Sequence, residues 1–469
     1  MKCKVEKSKI SGQIVCPPNK SYTHRAIFLA SLAGNNSRVE NILFSADTNS
    51  TIEACKKFGA EIETTDSSII VRNSIKIGTK VPEINTENSG TTIRIASGIA
   101  GLYSDEIVLT GDSSLQKRPM QPLLDALSSI GARCSSTDGK PPIKIRGKIL
   151  GGEVKIPGNF SSQFISSLLV CAPLTEKGIN LVIEGNLVSK PYLDATIATM
   201  RKFGVTVQTL IPYKRYNISP QIYKETTFTV PIDFSSLALL LSATVLNGED
   251  ITIKGNIGNL PQGDEVFIDI LEQLGVEIIM NDEQIKIKSP EKLNGGKFDL
   301  SNSPDLLPPL AILALRSSAP IEIFNVKHAR LKETDRIAII SRELVKLGIN
   351  IQEKEDGMIL EASGNISGAD LISEKDHRLF MAFSIAGMYV GDCTVTDPES
   401  VKVSYPNFIE ENLADICASI QYTIISILMA KLKKAVNKEN INDLSKGVYF
   451  LELKDENTNK ISIQKLIIN

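Results

Sequence analysis

The stretch GQIVCPPNKSYTHRAIFLASLA at residues 12–33 reads as a short β-rich run, a polar turn and an apolar helix, and a second strand, SRVENIL, follows at 37–43. The same order recurs at five further places, with starts about 70 residues apart. The recurrences are INTENSGTTIRIASGIAGLY at 84–103, GEVKIPGNFSSQFISSLLVCAPL at 152–174, FTVPIDFSSLALLLSATVLNG at 228–248, KFDLSNSPDLLPPLAILALRSS at 297–318 and ISEKDHRLFMAFSIAGMYV at 372–390. Such periodic self-similarity predicts an array of similar structural units.

A second kind of helix lies between these stretches and ends in a glycine pattern. Its endings are KKFGAEI, LSSIGARC, RKFGVTV, LEQLGVEI and LVKLGINI. Each unit therefore holds one nearly all-apolar helix, which must be buried, and one amphipathic helix. Strands combined with such helices predict an α/β architecture. Six units grouped three and three predict two similar domains with a cleft between them, and a single αβ sandwich of six units is the alternative.

The bulk composition limits the possible partners and compartments. A chain of 469 residues favours two domains or more, and a net charge of −2 gives no reason to expect a nucleic-acid or membrane-surface partner. The seven cysteines include no CxxC pair and are interpreted as reduced core residues of a cytoplasmic protein. No signal peptide and no membrane span is expected, because no suitable apolar run occurs. The three histidines, His24, His328 and His377, lack metal-ligand spacing, so we expect no metal and no cofactor.

The polar turns before the apolar helices carry the predicted chemistry. Every one of these helices starts near Ser, Thr, Asn, Asp or Gly, and unpaired N–H groups at converging helix starts bind anions. Ordinary N-capping is the alternative, and Ser235 and Ser236 are interpreted in that way. Cations accompany the other turns, namely Lys20, Arg25, Arg94, Arg118 and Arg378. Because guanidinium forks suit phosphate and carboxylate, the substrates are predicted to be small and multiply anionic.

The densest polar stretch is HARLKETDR at residues 328–336, followed by an amphipathic helix that ends at Gly348. Thr334 or Asp335 is the predicted N-cap, so Lys332 and Glu333 lie on the loop at a helix N-terminus, which attracts anions. The alternative is a capped surface helix with solvated charges.

Taken in order, these polar motifs resemble those of the 5-enolpyruvylshikimate-3-phosphate synthase family. The matching motifs are Asn19-Lys20-Ser21 with Arg25, Asn88-Ser89-Gly90-Thr91 with Arg94, Arg118-Pro119, Ser161-Ser162-Gln163-Phe164, Val188-Ser189-Lys190-Pro191-Tyr192, Asp305, Lys332-Glu333-Thr334-Asp335-Arg336 and Asp376-His377-Arg378. The resemblance implies the enolpyruvyl transferase fold, an inverted α/β barrel-like array of six βαβαββ units. One domain would span residues 18–231 and the second residues 1–17 plus 232–418, with residues 419–469 as an extra tail.

The resemblance also implies a reaction and two substrate sites. The family joins phosphoenolpyruvate to shikimate 3-phosphate by addition and elimination, on the route to chorismate and the aromatic amino acids. Shikimate 3-phosphate would be held by Lys20, Ser21, Arg25, Ser161, Ser162, Gln163, Ser189, Tyr192, Asp305 and Lys332. Phosphoenolpyruvate would be held by Lys20, Asn88, Gly90, Arg118, Gln163, Arg336, Arg378 and Lys402. The predicted acid and base groups are Asp305, Glu333 and Lys20, and the protein is expected to act as a monomer.

Two departures from the family pattern stand out. The family often has a Lys three positions before the Pro that is Pro406 here, but this chain has Val403 there and Lys402 one step earlier. About fifty residues then follow the end of the pattern: an apolar, helix-like segment over 412–436 and a predicted β-hairpin of GVYFLEL and ISIQKLII.

Three functional alternatives and one inhibitor hypothesis remain open from the residues. The related transferase that acts on UDP-N-acetylglucosamine commonly uses a loop cysteine, and the loop before Arg118 has none. A non-catalytic anion-binding relative, and an RNA-binding one, fit the cations, although aromatic residues are only 5% of the chain. Gly90 leaves room that an alanine would fill, which predicts sensitivity to glyphosate.

Overall fold

The computed structural model describes residues 2–81, 83–409, 447–454 and 461–468. The chain divides into two compact units, Met1–Gln421 and Tyr422–Asn469. Within the described residues no helix is long and apolar enough to cross a membrane. Six of the seven cysteines lie in the described part and form no disulfide; Cys417 lies outside it.

The first unit is a mixed α/β structure. Its helices are α1 (Lys20–Ala33), α2 (Ala46–Lys57), α3 (Gly90–Ala100), α4 (Gln121–Ser129), α5 (Ser162–Cys171), α6 (Lys190–Lys202), α7 (Phe234–Asn247), α8 (Val266–Gln273), α9 (Leu307–Leu313), α10 (Arg336–Leu344) and α11 (His377–Val390). Its strands are β1 (Lys2–Val5), β2 (Ile10–Val15), β3 (Ser37–Glu40), β4 (Glu61–Thr64), β5 (Ser68–Asn73), β6 (Ile84–Asn85), β7 (Ile107–Thr110), β8 (Arg133–Thr137), β9 (Lys140–Arg146), β10 (Gly152–Pro157), β11 (Ile179–Glu184), β12 (Gln208–Ile211), β13 (Arg215–Ile218), β14 (Thr227–Thr229), β15 (Gly248–Lys254), β16 (Glu277–Met280), β17 (Gln284–Lys288), β18 (Gly296–Asp299), β19 (Ile321–Phe324), β20 (Ile349–Lys354), β21 (Gly357–Ala362), β22 (Asp370–Leu371) and β23 (Cys393–Thr396). Short 3-10 turns at Gly263–Glu265, Pro304–Leu306, Lys327–Leu331 and Pro398–Val403 matter for the site.

Five four-stranded sheets repeat one pattern and a three-stranded sheet repeats part of it, which confirms the predicted α/β array of six units. The strand orders are β14-β3-β5-β4, β6-β7-β9-β8, β10-β11-β13-β12, β16-β17-β15-β2, β18-β19-β21-β20 and β1-β23-β22. In the sheet of β10, for example, β10 and β11 are parallel and β13 is antiparallel to both β11 and β12. The parallel pair requires a crossover, and the buried helix α5 supplies it.

Two of the six sheets exchange their first strands, so in these two units the strand before the apolar helix does not pair with the strand after it. The strand before α1, β2, pairs in parallel with β15 rather than with β3. The strand before α7, β14, pairs with β3 instead. A bridge between Pro18 and Ile232 holds the two connecting segments side by side. Pro17 and Pro18 come after Cys16, one residue beyond the end of β2, and because neither has a backbone N–H to donate, the strand does not continue.

The apolar helices are buried and the amphipathic helices end as predicted. All fourteen residues of α7 are buried, and α7, α9 and α11 contact one another. In the first half of the unit a hydrophobic core cluster runs from Tyr22 to Val230. The five predicted terminating glycines all have left-handed φ values, and they are Gly59 (96°), Gly131 (119°), Gly204 (78°), Gly275 (92°) and Gly348 (92°). Glycine takes this conformation without a Cβ penalty.

The second unit contains the predicted hairpin. Its strands β24 (Gly447–Lys454) and β25 (Ile461–Ile468) pair antiparallel, with Gly447 opposite Ile468. The helix predicted over 412–436 lies outside the described residues.

Candidate active site

A polar pocket of about 1120 Å³, including its open mouth, is lined by the starts of buried helices from both halves of the first unit. The lining residues are Asn19, Lys20, Ser21, Asp47, Gly90, Thr91, Arg94, Arg118, Phe160, Ser161, Ser162, Gln163, Val188, Ser189, Tyr192, Asp233, Ser235, Asp264, Asp305, His328, Leu331, Lys332, Glu333, His377 and Arg378. The helix starts therefore converge, as an anion-binding site requires.

The N-terminus of α1 brings the first cation to the pocket. Asn19 caps the helix by accepting a hydrogen bond from the Tyr22 N–H. The Lys20 ammonium then lies 3.0 Å from an Asp47 carboxylate oxygen, and its backbone N–H donates to Asp233. Lys20 is thus fixed by two carboxylates from different elements.

A second group of donors surrounds the start of α3. Arg118 Nη2 donates to Asn88 Oδ1 at 2.7 Å, and Gln163 Nε2 donates to Thr91 Oγ1 at 2.9 Å. Arg94 donates to Gln163 Oε1, while its own Nε is buried without a partner. Burial first, and then Arg118, lower the pKa of Arg94 to about 9. A buried guanidinium with an unused donor is suited to an anionic ligand.

Arg336 is the centre of the opposite side of the site. It is 1% exposed, and its Nη1 lies 2.7 Å from Asp305, its Nη2 2.7 Å from Glu333 and its Nε 2.8 Å from Asp376. One guanidinium therefore holds three carboxylates in place. The predicted N-cap of this helix is confirmed as Asp335, which accepts from the Ala338 N–H.

Asp305 lies in a 3-10 turn and caps no helix. Besides Arg336, its carboxylate oxygens lie 3.6 Å from Lys332 Nζ, 3.4 Å from Arg378 Nη2 and 3.2 Å from the Tyr192 hydroxyl. Burial raises the pKa of the Asp305 carboxyl, but the three cations outweigh burial and hold that pKa well below its usual range. The side chain is therefore ionised and is available as a proton acceptor.

Glu333 is the second ionised carboxylate of the pocket. Burial raises the pKa of its carboxyl, but the cations Arg336, Arg118 and Lys20 outweigh burial and hold that pKa well below its usual range. Glu333 and Asp305 are therefore bases in the unliganded protein, and a proton donor has to come from another group.

The structure brings most of the predicted residues together, but not all of them. Asn88, Arg25, Arg336 and Lys402 do not line the pocket. Arg25 lies beneath the pocket, where its guanidinium donates to Thr196 Oγ1 and to the carbonyls of Ser21 and Tyr192. Lys402 is exposed on the Pro398–Val403 turn.

Ser189 is the one pocket residue with a strained backbone. Its φ of 55° and ψ of 46° are left-handed at the start of α6. A non-glycine residue in this region costs about 1 kcal/mol or more and is typical of ligand-binding positions.

Several pocket residues were absent from the predicted site. They are Asn19, Asp47, Thr91, Arg94, Phe160, Val188, Asp233, Ser235, Asp264, His328, Leu331 and His377. The assignment of Ser235 and Ser236 as N-caps was wrong, because Asp233 accepts from both backbone N–H groups. Ser235 Oγ instead accepts from Arg378 Nη2 at 2.8 Å. The acidic residue two positions before Ser235 was the signal that could have indicated the true cap.

Within the part of the chain that the structure describes, no three His, Cys, Asp or Glu side chains converge as metal ligands. Ion pairs among side chains account for the acidic residues around Arg336.

Comparisons with known proteins agree on one family. The family model for EPSP synthase (3-phosphoshikimate 1-carboxyvinyltransferase) matches residues 5–412. A 3-phosphoshikimate 1-carboxyvinyltransferase of Nitrosopumilus maritimus (strain SCM1) is 81% identical over 411 residues, covering 88% of this chain and 97% of that protein. The enzyme of the same name from Methanothermobacter thermautotrophicus is 40% identical over 416 residues, covering 88% and 98%.

Solved structures show the same relationship. An EPSP synthase structure from Acinetobacter baumannii superimposes with a TM-score of 0.73 at 26% identity, covering 87% of this chain and 96% of that one. The enolpyruvyl transferase NikO from Streptomyces tendae superimposes with a TM-score of 0.68 at 16% identity, covering 88% and 96%, and indicates a shared fold alone.

Proposed function

The chain belongs to the EPSP synthase family, and from this membership we propose how its pocket transfers the enolpyruvyl group of phosphoenolpyruvate to the 5-hydroxyl of shikimate 3-phosphate. The products are 5-enolpyruvylshikimate 3-phosphate and inorganic phosphate, in the biosynthesis of chorismate and aromatic amino acids. The observation that carries the assignment of roles is the pair of ionised carboxylates, Asp305 and Glu333, that one guanidinium holds at the floor of a cationic pocket.

In the addition step, Asp305 accepts the proton of the 5-hydroxyl while that oxygen bonds to C2 of phosphoenolpyruvate. C3 takes up a proton at the same time. Because the Glu333 carboxyl has a pKa well below its usual range, we assign this donation to the Lys20 ammonium. In the elimination step, Glu333 removes a proton from C3, the C2–O bond to phosphate breaks with its electron pair on phosphate, and the enol double bond forms again.

The two substrates are proposed to occupy neighbouring parts of the pocket. Shikimate 3-phosphate is assigned to Lys20, Ser21, Arg25, Ser161, Ser162, Gln163, Ser189, Tyr192, Asp305 and Lys332, most of which line it. Phosphoenolpyruvate is assigned to Lys20, Asn88, Gly90, Arg118, Gln163, Arg336, Arg378 and Lys402. Fixed cations hold both anionic substrates in line before reaction, which removes much of the entropic cost of bringing them together.

Two of these assignments require a change on binding. Arg336 has its guanidinium nitrogens bound to Asp305, Glu333 and Asp376, so direct contact with phosphoenolpyruvate requires the exchange of a carboxylate partner. Lys402 is exposed and does not line the pocket, so the Pro398–Val403 turn must move for this lysine to bind substrate.

The domain division and the setting are part of the same proposal. We assign residues 18–231 to one domain, and residues 1–17 with 232–418 to the other, with the tail as an appendage of unassigned role. The strand exchange at β2 and β14, and the core that runs from Tyr22 to Val230, support this division. We propose a cytoplasmic monomer, consistent with six unpaired cysteines among the described residues.

The test is phosphate release from shikimate 3-phosphate plus phosphoenolpyruvate. Glu333→Gln is expected to lower kcat by about 10²-fold or more, because an amide cannot accept the C3 proton. Glu343→Gln is the matched control: Glu343 is buried and, like Glu333, is ion-paired, in its case with Arg342 and Lys346, but it does not line the pocket. It is expected to lower stability and to leave kcat within about threefold.

Two further variants test the remaining assignments. Lys402→Ala is expected to raise the KM for phosphoenolpyruvate, and an unchanged KM removes Lys402 from the site. A variant ending at Gln421 is expected to keep kcat, because the family model matches only residues 5–412. Folded wild-type protein that binds both substrates and releases no phosphate would overturn the proposed function in favour of a binding protein.

A further inference from the structure

Asp264 is a pocket residue to which the proposed function gives no role. It lies in the 3-10 turn Gly263–Glu265 and is 8% exposed. It lines the pocket, yet its Oδ1 is buried and has no hydrogen-bond partner. A buried polar atom without a partner calls for a physical explanation, because leaving one unpaired costs about 1–3 kcal/mol.

The turn that carries Asp264 is held from both halves of the first unit. The Tyr22 hydroxyl donates to the Pro261 carbonyl at 2.8 Å, and Ser303 Oγ donates to the Gly263 carbonyl at 2.7 Å. A Cβ at Gly263 would lie 2.6 Å from Cγ of Pro191, so the turn also packs closely against the start of α6. Asp264 therefore occupies a fixed position at the floor of the pocket.

The charges around Asp264 include both signs, and none of them pairs with it. Among the described residues Asp264 forms no ion pair, whereas the nearby Asp305 is bound by Lys332, Arg336 and Arg378. The pKa of its carboxyl is influenced electrostatically by Asp305, Asp233, Arg378 and Lys332. Asp264 in turn raises the pKa of the Tyr192 hydroxyl on α6. A buried carboxyl beside two other carboxyls and without a cation partner is more stable in its neutral form.

The direction of its titration agrees with this geometry. Burial first, then Asp305 and Asp233, raise the pKa of Asp264 to about 8, although Arg378 and Lys332 act in the opposite direction. The same pocket holds the pKa of Asp305 well below its usual range. Neighbouring carboxyls whose environments drive their pKa values apart take different roles, one as an acceptor and one as a donor.

We propose that Asp264 binds the acceptor substrate as a neutral carboxylic acid, donating its O–H to a ring hydroxyl oxygen next to the hydroxyl that Asp305 deprotonates. This inference rests on the proposed function. The neutral acid leaves its carbonyl oxygen inside the protein and supplies a donor at the pocket, which an ionised carboxylate cannot do. It also avoids a further negative charge in a site that receives two anionic substrates.

The proposal is tested by the pH dependence of kcat/KM for shikimate 3-phosphate in wild type, Asp264→Asn and Asp264→Ala. Asparagine keeps a donor and an acceptor but does not titrate, so we expect it to lower kcat/KM at pH 7 less than alanine does. Alanine is expected to lower kcat/KM about tenfold, mainly through KM, the loss typical of one hydrogen bond at about 1.4 kcal/mol. Above pH 8 the wild type is expected to lose activity progressively relative to Asp264→Asn.

A second measurement, urea unfolding from pH 4 to 9, reports the protonation state without any activity. If the folded protein keeps Asp264 protonated up to about pH 8 while the unfolded chain ionises near pH 4, the unfolded state binds fewer protons between these values. The free energy of unfolding of wild type should then fall relative to Asp264→Asn as pH rises across this window. Glu265→Gln is the matched control for kcat/KM, because Glu265 is the next residue and does not line the pocket; burial raises the pKa of its carboxyl too, so its removal is expected to change the pH dependence of stability but not that of kcat/KM.

Each outcome separates this inference from the proposed function. A wild-type to Asp264→Asn stability difference that is constant from pH 4 to 9 means an ionised Asp264 and overturns the inference. A pH-dependent stability difference with parallel kcat/KM profiles means a neutral group that does not contact substrate, and it also overturns the inference. If wild type releases no phosphate, the proposed function fails, while calorimetric titration of shikimate 3-phosphate across the same pH range still decides the role of Asp264.

Discussion

Single residues set the charge state of the site, and Arg336 is the clearest example because it binds three carboxylates. Its side chain is 1% exposed and is bound to Asp305, Glu333 and Asp376. This buried cation favours the ionised forms of Asp305 and Glu333, which the addition and elimination steps require. Among the described residues, removing Arg336 would leave Glu333 and Asp376 without an ion pair, and Asp305 with only its longer contacts to Lys332 and Arg378. For this reason the sharper experiments change Glu333 or Asp264 and leave the cation in place.

Gly90 carries a prediction at the same scale. A Cβ at this position would lie 2.9 Å from Arg118 Nη1 and 3.5 Å from Arg94 Nη1. Gly90→Ala should therefore displace the Arg118 guanidinium, raise the KM for phosphoenolpyruvate about 3- to 10-fold and weaken inhibition by glyphosate more strongly. The measurement is phosphate release against both compounds, with the KM for shikimate 3-phosphate as the internal control. Unchanged inhibition would show that Arg118 adapts without cost.

Among the elements, α3 and α5 make the closest helix contact around the pocket. Ser167 Oγ of α5 donates to the Arg94 carbonyl at 2.6 Å and accepts from the Gly98 N–H at 3.1 Å, so the hydroxyl enters the hydrogen-bond ladder of α3. A Cβ at Gly98 would lie 2.7 Å from the Ser167 carbonyl oxygen. This contact fixes the turn that carries Arg94 into the pocket.

Gly98→Ala is expected to destabilise the protein by about 1–3 kcal/mol, because backbone atoms must separate to admit the methyl group. Urea unfolding measures the loss. Gly101→Ala is the control just after the C-terminal end of α3, where the nearest atom is the movable Ile149 Cγ2 at 3.2 Å, and its effect should be smaller. Equal effects of the two substitutions would mean that α3 and α5 can move apart freely.

At the scale of the whole molecule, the three histidines contribute to the change in the free energy of unfolding at acidic pH. Burial first, then nearby cations, lower the pKa of His24 and His377 well below the usual range, and burial and Lys332 lower that of His328 to about 4. Their Nε2 atoms are buried without partners. Three separate segments of the fold thus bury neutral imidazoles.

The free energy of unfolding should therefore fall as pH decreases below about 6.5, because the histidines bind protons in the unfolded chain but stay neutral in the folded protein. Each histidine contributes up to about 1.4 kcal/mol per pH unit in this window, and Asp264 contributes in the opposite direction. His24 does not line the pocket, so His24→Gln should leave the site in place. It should reduce the slope of the free energy of unfolding against pH, between pH 6 and 5, by the equivalent of about one proton. Urea unfolding at several pH values checks this, and an unchanged slope would contradict it.

The sequence by itself determined the architecture and most of the site. Local signals were sufficient wherever a short segment sets its own geometry, as in the six apolar helices and the five glycines that end the amphipathic helices, and they limited the cap of α10 to Thr334 or Asp335. The motifs also indicated most of the residues that line the pocket, including Lys20, Gln163 and Glu333, because each stands at the start of a helix or in the turn before one.

Only the tertiary structure decided which strands exchange and which groups meet. The pairing of β2 with β15 joins segments more than 200 residues apart, which no local pattern encodes. The protonation states of Asp264, Asp305 and Glu333 likewise depend on neighbours from distant segments. Burial and electrostatic interactions depend on distances in space, and residues far apart along the chain acquire those distances only when it folds.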